Sequence, residues 1–146
     1  MQSLTDITEV AHVIQLAVAP VFLLMGIGAM LGVLINRLGR VTDRFRVLER
    51  LPDDLPEIAR ASVRTEMDRL ARRARLVHWA IGACTSSALL ICIVIALMFA
   101  GSVTGIKVSI LIAVLFIVAM LALVSSLLLF LREITLAYGG IHTVPR

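Results

Sequence analysis

Charged and aromatic side chains are scarce in this sequence. Only 16% of its 146 residues are Asp, Glu, Lys or Arg, and 5% are aromatic. Three runs, at 11–35, 79–100 and 108–131, contain no Asp, Glu, Lys or Arg. At a rise of 1.5 Å per residue, each run is long enough to cross the roughly 30 Å hydrocarbon core of a bilayer. The sequence therefore predicts three transmembrane helices and excludes an ordinary soluble domain.

Motifs that carry chemistry are missing as well. There is no Gly-rich phosphate loop, no nucleophile elbow and no pair of intramembrane carboxylates. Cys84 and Cys92 are eight residues apart on one apolar run, about 12 Å along a helix, which is too far for a disulfide. His12, His78 and His142 fall at different depths and do not predict a shared metal site. We therefore expect no catalytic residues, no cofactor and no metal.

Positive charge is distributed unevenly along the chain. Eleven of the fourteen Lys and Arg residues lie between Arg37 and Arg75, and none lies in the first ten residues. A cleaved signal peptide needs a basic leading region, so the first apolar run is interpreted as a retained anchor. The positive-inside rule predicts an amino terminus outside and a carboxyl terminus inside. It assigns 1–10 and 101–107 to the outside, and 36–78 and 132–146 to the cytoplasm.

The link at 36–78 has the pattern of two helices. Apolar residues recur on both halves at alternating steps of four and three, which is typical of an antiparallel hairpin or of packing against neighbouring subunits. These residues are Leu34, Leu38, Val41, Phe45 and Leu48 in the first half, and Val63, Met67, Leu70, Ala74 and Val77 in the second. The predicted fold class is an all-α integral membrane protein with a cytoplasmic helical hairpin, of coiled-coil type, between the first two spans.

The turn of this hairpin is marked by its own residues. Pro52 ends the first half, Asp54 and Glu57 have the spacing of a capping box, and Pro56 is tolerated in a first helical turn. Only one weak helix breaker, Gly39, follows the first span before the hairpin. We therefore expect the first span and the first half of the hairpin to form one continuous helix.

One polar stripe enters a predicted span, at the outer end of the first. If several copies surround an axis, this face gives an acidic mouth, an apolar constriction and a basic vestibule, as an ion pathway requires. The candidate pore face comprises Glu9, His12, Leu16, Leu23, Ile27, Leu34 and Arg37. The alternative is a non-catalytic membrane scaffold or regulatory subunit that presents its basic hairpin to partner proteins or inner-leaflet lipids.

Two further sets of residues predict contacts between helices and with partners. Small residues at one depth allow close helix packing, and closed symmetric homo-oligomers are the usual result of such surfaces. Basic residues at the membrane end of the hairpin predict contacts with anionic lipid or with another subunit. Seven acids in the hairpin argue against nucleic acid. The packing set is Gly26, Gly28, Gly32, Ser86, Ser87 and Ser125, and the contact set is Asn36, Arg40, Asp43, Arg44, Arg72 and Arg73.

The stretches Ala-Pro-Val-Phe-Leu-Leu-Met-Gly-Ile-Gly-Ala at 19–29 and Asn-Arg-Leu-Gly-Arg-Val-Thr-Asp-Arg at 36–44 are distinctive. They resemble a family of small three-span bacterial membrane proteins known only as a domain of unknown function. The likeness extends to the second basic helix and the two later apolar runs. It implies the same architecture and a location in the bacterial inner membrane, and it implies no particular activity.

Overall fold

The computed structural model describes the backbone of residues 2–51, 56–104 and 109–139, and the side chains of 11–51, 56–102 and 109–135. The described chain forms three α-helices: α1 at Gln2–Glu49, α2 at Glu57–Thr104 and α3 at Ser109–Gly139. Each contains a stretch long and apolar enough to cross a membrane. The predicted all-helical class with three apolar helices is confirmed.

The helices α1 and α2 are each 48 residues long, more than twice the roughly 20 residues that a span needs. Helix α1 continues through Pro20 and Gly39, which confirms the prediction of one continuous helix. After its end, the Leu51 N–H donates to the Leu48 carbonyl at 3.3 Å. At the start of α2, the Pro56 carbonyl accepts a hydrogen bond from the Arg60 N–H at 3.0 Å, so Glu57 is the first helical residue.

Several predicted features lie outside the described residues. They are Pro52 and Asp54 of the turn and His142 in the tail. The side chain of Glu9 also lies outside the described part, although its backbone belongs to α1.

Buried residues recur every seven positions on each helix. On α1 the series is Ile27, Leu34, Val41 and Leu48; on α2 it is Leu70, Val77, Cys84 and Ile91, with Ala80, Ser87 and Val94 in a second series; on α3 it is Ala119, Ser126 and Glu133. A seven-residue repeat keeps one seam of a helix against its neighbours. Most of this seam is apolar, but three of its members, Ser87, Ser126 and Glu133, are polar.

The chain divides into two compact units. The first unit comprises the described residues up to Leu31 together with Ala83–Val124. In it the Ser87 hydroxyl donates to the Ala119 carbonyl at 2.8 Å, so α2 and α3 are joined by a hydrogen bond in an apolar surrounding. The Cys84 thiol approaches the Ile27 carbonyl at 3.9 Å, as a weak donor would.

The second unit comprises Gly32–Gly82 and the described chain from Ser125 onward. Here Val41, Leu48 and Leu70 form a buried apolar cluster between α1 and α2, with the partly buried Phe45, Val63, Met67 and Ala74 packed against it. We refer to the paired segments 36–49 and 57–78 as the arm. The Ser126 hydroxyl donates to the Ala80 carbonyl at 2.7 Å, which joins α3 to α2 in this unit.

Because the arm is held by this cluster, we expect Leu70→Ala to lower the free energy of unfolding by about 2–5 kcal/mol, the usual effect of truncating a buried Leu. Thermal unfolding of the purified protein in a mild detergent, followed by circular dichroism, measures the change. The matched control is Ile58→Ala, since Ile58 is 88% exposed on the same segment of α2. Equal effects of the two substitutions would contradict the role of the cluster.

Candidate functional site

One carboxylate in the second unit is fully buried between two arginines. Glu133 of α3 has no exposed surface. The Arg37 Nη1 of α1 donates to its Oε2. The Arg73 Nη2 of α2 donates to its Oε1 at 2.8 Å, and the Arg73 Nε donates to the same oxygen at 3.1 Å. All three helices therefore contribute one charged side chain to this cluster.

The positions of these side chains follow from the buried repeat. Glu133 is seven residues after Ser126 on α3 and occupies the same buried seam. Arg37 is three residues after Leu34, and Arg73 is four residues before Val77, so each borders a fully buried residue of its own helix. Because Arg37 and Arg73 border the seam, their heads reach the buried carboxylate while 28% and 30% of their side chains stay exposed.

An aromatic ring supports one of the guanidinium groups. The Arg37 Cζ lies 5.3 Å from the centre of the Phe130 ring, within the range of a cation–π interaction. Phe130 is three residues before Glu133 on α3, so both side chains lie on the same side of that helix. The same arginine is thus held by charge and by ring contact, and its position is fixed more tightly than that of a surface arginine.

The electrostatics of the cluster follow from its burial. A carboxylate removed from water is strongly unfavourable unless it is paired and hydrogen-bonded. Glu133 accepts three hydrogen bonds from two positive groups, and no buried side-chain oxygen or nitrogen among the described residues lacks a partner. With two arginines and one glutamate, the cluster keeps one excess positive charge. A carboxylate engaged in this way holds the two guanidinium groups in place.

A second ion pair lies farther along the arm. The Arg44 Nη2 and the Glu66 Oε1 are 3.0 Å apart, and the Arg44 Nε donates to the same oxygen at 3.0 Å. Both side chains are about half exposed, at 55% and 44%. Solvent-exposed pairs contribute little, typically about 0–1 kcal/mol. This pair joins α1 to α2, but it stabilises the helix contacts less than the buried ion pairs of Glu133 do.

The candidate pore residues fall into three groups. Ile27 and Leu34 are 2% and 0% exposed, so they pack inside the chain itself. Arg37 is held by Glu133. His12 and Leu16 are exposed, and Leu23 is half-buried. Within one chain the proposed face is thus not continuous, and the lining of a pore by an assembly stays a prediction.

The candidate packing residues also separate. An added Cβ at Gly26, Gly28 or Gly32 would meet nothing within 4 Å, so these glycines do not serve close packing against the described part of the chain. Ser87 is buried and bonds to α3, as small polar residues at helix contacts do. Ser86 and Ser125 are exposed. Ser126, next to Ser125, is buried and joins α3 to α2 by its bond to the Ala80 carbonyl.

The candidate lipid or subunit contacts divide between the cluster and the surface. Arg73 belongs to the Glu133 cluster and Arg44 to the pair with Glu66. The remaining four are exposed: Asn36, Arg40, Asp43 and Arg72. Asp43 is not among the described residues that form an ion pair.

Glu133 was not singled out by sequence reasoning, although the sequence carries a signal for it. It is the only acidic residue after Asp68, and it lies two residues after Leu131, the last residue of the third apolar run. Many arginines lie at the ends of the other spans. An isolated acid at the end of a span is therefore expected to pair with some of these arginines in a buried contact. The spacing of seven from Ser126 would have assigned it to the seam.

Metal binding finds no support in the described part of the chain, where no group of three or more His, Cys, Asp or Glu could hold an ion. Neither the buried Cys84 nor the exposed Cys92 forms a disulfide with a described residue.

These features define the class: a membrane protein with three long apolar helices, two of which extend well beyond the length of a span. The chain belongs to the family described as "Protein of unknown function (DUF2721)", whose model matches residues 17–143. The match covers most of the chain and includes all three charged residues of the cluster. No curated protein and no solved structure matches this chain.

The buried cluster can be compared directly with the exposed pair. We expect Glu133→Ala to lower the free energy of unfolding by about 3–5 kcal/mol, because it leaves two half-buried arginines without their counter-charge. Glu66→Ala removes the carboxylate of the exposed pair and should cost about 0–1 kcal/mol. Thermal unfolding in detergent at fixed pH measures both. If the two variants unfold at the same temperature, Glu133 does not hold the helices together.

Proposed function

We propose that this protein is a non-catalytic, homo-oligomeric membrane scaffold whose arm projects into the cytoplasm and is presented to partner proteins and inner-leaflet lipids. The observation that carries the proposal is the arm itself. Its apolar side is satisfied by its own packing around Val41, Leu48 and Leu70. A connection of this length between two spans has no need of such a core, since loops that only connect are short.

The orientation in this proposal rests on charge. Ten of the fourteen basic residues lie in the arm, and an eleventh, Arg50, directly follows its first segment, so the positive-inside rule favours the cytoplasm for it. The surface of the arm carries exposed apolar residues as well as charge: Val47 and Ile58 are 58% and 88% exposed, and Leu51, just after the first segment, is 39% exposed. Exposed apolar side chains among charges, outside the apolar spans, are the composition expected of a protein contact.

Homo-oligomerisation is supported by the first span. Gly28 and Gly32 are four residues apart and both are open to the surroundings. A Gly-x-x-x-Gly spacing on an apolar helix lets a second helix approach closely. Since no helix that the structure describes covers these glycines, we propose that a second copy does. The inner membrane of a bacterium is the location that fits the resemblance and the arm's charge.

A topology measurement tests the first part of the proposal. In a variant with Cys84→Ala and Cys92→Ala, we expect a membrane-impermeant maleimide to label Thr5→Cys on intact cells and Ile58→Cys only in inverted vesicles. The positive charge of the arm is the physical reason. Labelling of Ile58→Cys from outside intact cells would overturn the proposed orientation.

A crosslinking measurement tests the scaffold itself. A photoreactive residue at Ile58, which is exposed, should form protein adducts in intact membranes, and one at Leu70, which is 8% exposed, should not. Mass spectrometry of the adducts identifies a second copy or another protein. If neither position gives a protein adduct, the arm does not serve as a docking element.

A pore is the second candidate, favoured by the exposed His12, Gln15 and Leu16 on the outer part of α1. Several copies could place these side chains around an axis, and carboxylates at the mouth attract cations. In liposomes we then expect cation flux that falls in Glu9→Gln, since the substitution removes the negative charge at the mouth. If liposomes that contain the parent protein show no more flux than empty liposomes, the pore is ruled out and the scaffold is the remaining candidate.

A further inference from the structure

The side of the arm that holds Glu133 is unusually basic. Arg37 and Arg73 both reach Glu133, and Arg44 reaches Glu66. Arg44 is seven residues after Arg37, and Glu66 is seven residues before Arg73, so these side chains lie on one side of the helix pair. We call this side the basic side of the arm.

Two further arginines join it by helical spacing. Arg40 is three residues after Arg37 and four before Arg44, so it lies on the same stripe of α1. Arg69 is four residues before Arg73 and three after Glu66, so it lies on the same stripe of α2 as these two residues. Arg40 and Arg69 are exposed and form no ion pair with any residue that the structure describes.

The charge of the basic side is therefore not balanced. Five arginines face two glutamates, an excess of three positive charges; the arginines are Arg37, Arg40, Arg44, Arg69 and Arg73, and the glutamates are Glu66 and Glu133. A surplus that neighbouring side chains do not neutralise attracts a mobile anion.

The two arginines of the cluster also have donors to spare. Arg37 uses only Nη1 on Glu133, which leaves Nε and Nη2 without a hydrogen bond to any described residue. Arg73 uses Nε and Nη2, which leaves Nη1. Because Glu133 fixes both guanidinium groups, their remaining N–H groups are held in place before any ligand arrives, and less conformational freedom is lost on binding.

We propose that Arg37, Arg40, Arg69 and Arg73 form a binding site for a phosphate group, which in the membrane is the headgroup phosphate of an anionic lipid. Guanidinium groups recognise phosphate by paired hydrogen bonds. The site borders the apolar spans, because Arg37 follows the first of them within two residues, and headgroup phosphates lie just beyond the hydrocarbon core. The proposal deepens the proposed function by naming the lipid chemistry that the arm binds.

The test compares two double variants that remove equal charge. Arg40→Gln with Arg69→Gln removes the two unpaired arginines of the site and leaves the Glu133 cluster intact. Arg46→Gln with Arg75→Gln removes two arginines from the opposite side of the same helices. Both pairs are exposed, and none of the four forms an ion pair with a described residue. Unfolding temperatures within a few degrees of the parent establish that both variants are folded.

Binding is measured by native mass spectrometry of the full chain in a mild detergent, titrated with phosphatidylglycerol and, separately, with phosphatidylcholine. The parent should retain phosphatidylglycerol preferentially. The site variant should bind it about 10- to 30-fold more weakly, the effect expected for two arginines at a membrane surface, and the opposite-side variant no more than about threefold more weakly. Equal losses in the two variants, or no preference in the parent, would overturn the site.

Inorganic phosphate distinguishes the source of the ligand. If phosphate at millimolar concentration displaces phosphatidylglycerol from the parent but not from the site variant, the site accepts free phosphate as well as lipid. If it displaces none, the lipid headgroup is the ligand. The measurement in detergent does not depend on orientation, so a failed lipid titration and a failed topology measurement are separate results.

Discussion

The burial of one carboxylate constrains the second unit more than any other single contact. Glu133 has no exposed surface, so its charge is stable there only while Arg37 and Arg73 supply both opposite charge and hydrogen bonds. Those arginines come from two different helices. The carboxylate therefore requires α1, α2 and α3 to meet at one level, whereas apolar packing alone would tolerate several levels.

The same constraint shapes what the surface can do. Holding Arg37 and Arg73 at the edge of the seam leaves each about a third exposed, with donors that the cluster does not use. A surface arginine moves freely and gives up that freedom when it binds, but these two are already ordered. The interaction that stabilises the helices is thus also what fixes a basic surface beside the apolar spans.

Most of the fold could be predicted from the sequence, and the cluster could not. The uncharged runs predict the helices, and the alternating spacing of four and three at Val41, Phe45 and Leu48 predicts which face of a helix is buried. Both predictions succeed because helix formation and the position of an apolar face depend on residues close together in sequence. Contacts such as Arg37 with Glu133 join residues 96 apart, and periodicity does not say which helix a buried face meets. For the same reason Ile27 and Leu34, assigned to a pore face by spacing, turn out to be buried within the chain.

Polar residues in the buried seam also fix the register of α3 on α2. Ser126 bonds to Ala80, and Glu133 bonds to Arg73. Ser126 and Glu133 are seven residues apart on α3, and Arg73 and Ala80 are seven residues apart on α2. A slip of one repeat in one direction would set Glu133 against Ala80, leaving a buried carboxylate without a partner. A slip in the other direction would set it against Glu66, a like charge. Leucines at these positions would pack equally well in any of the three registers, so the glutamate contributes specificity that an apolar seam lacks.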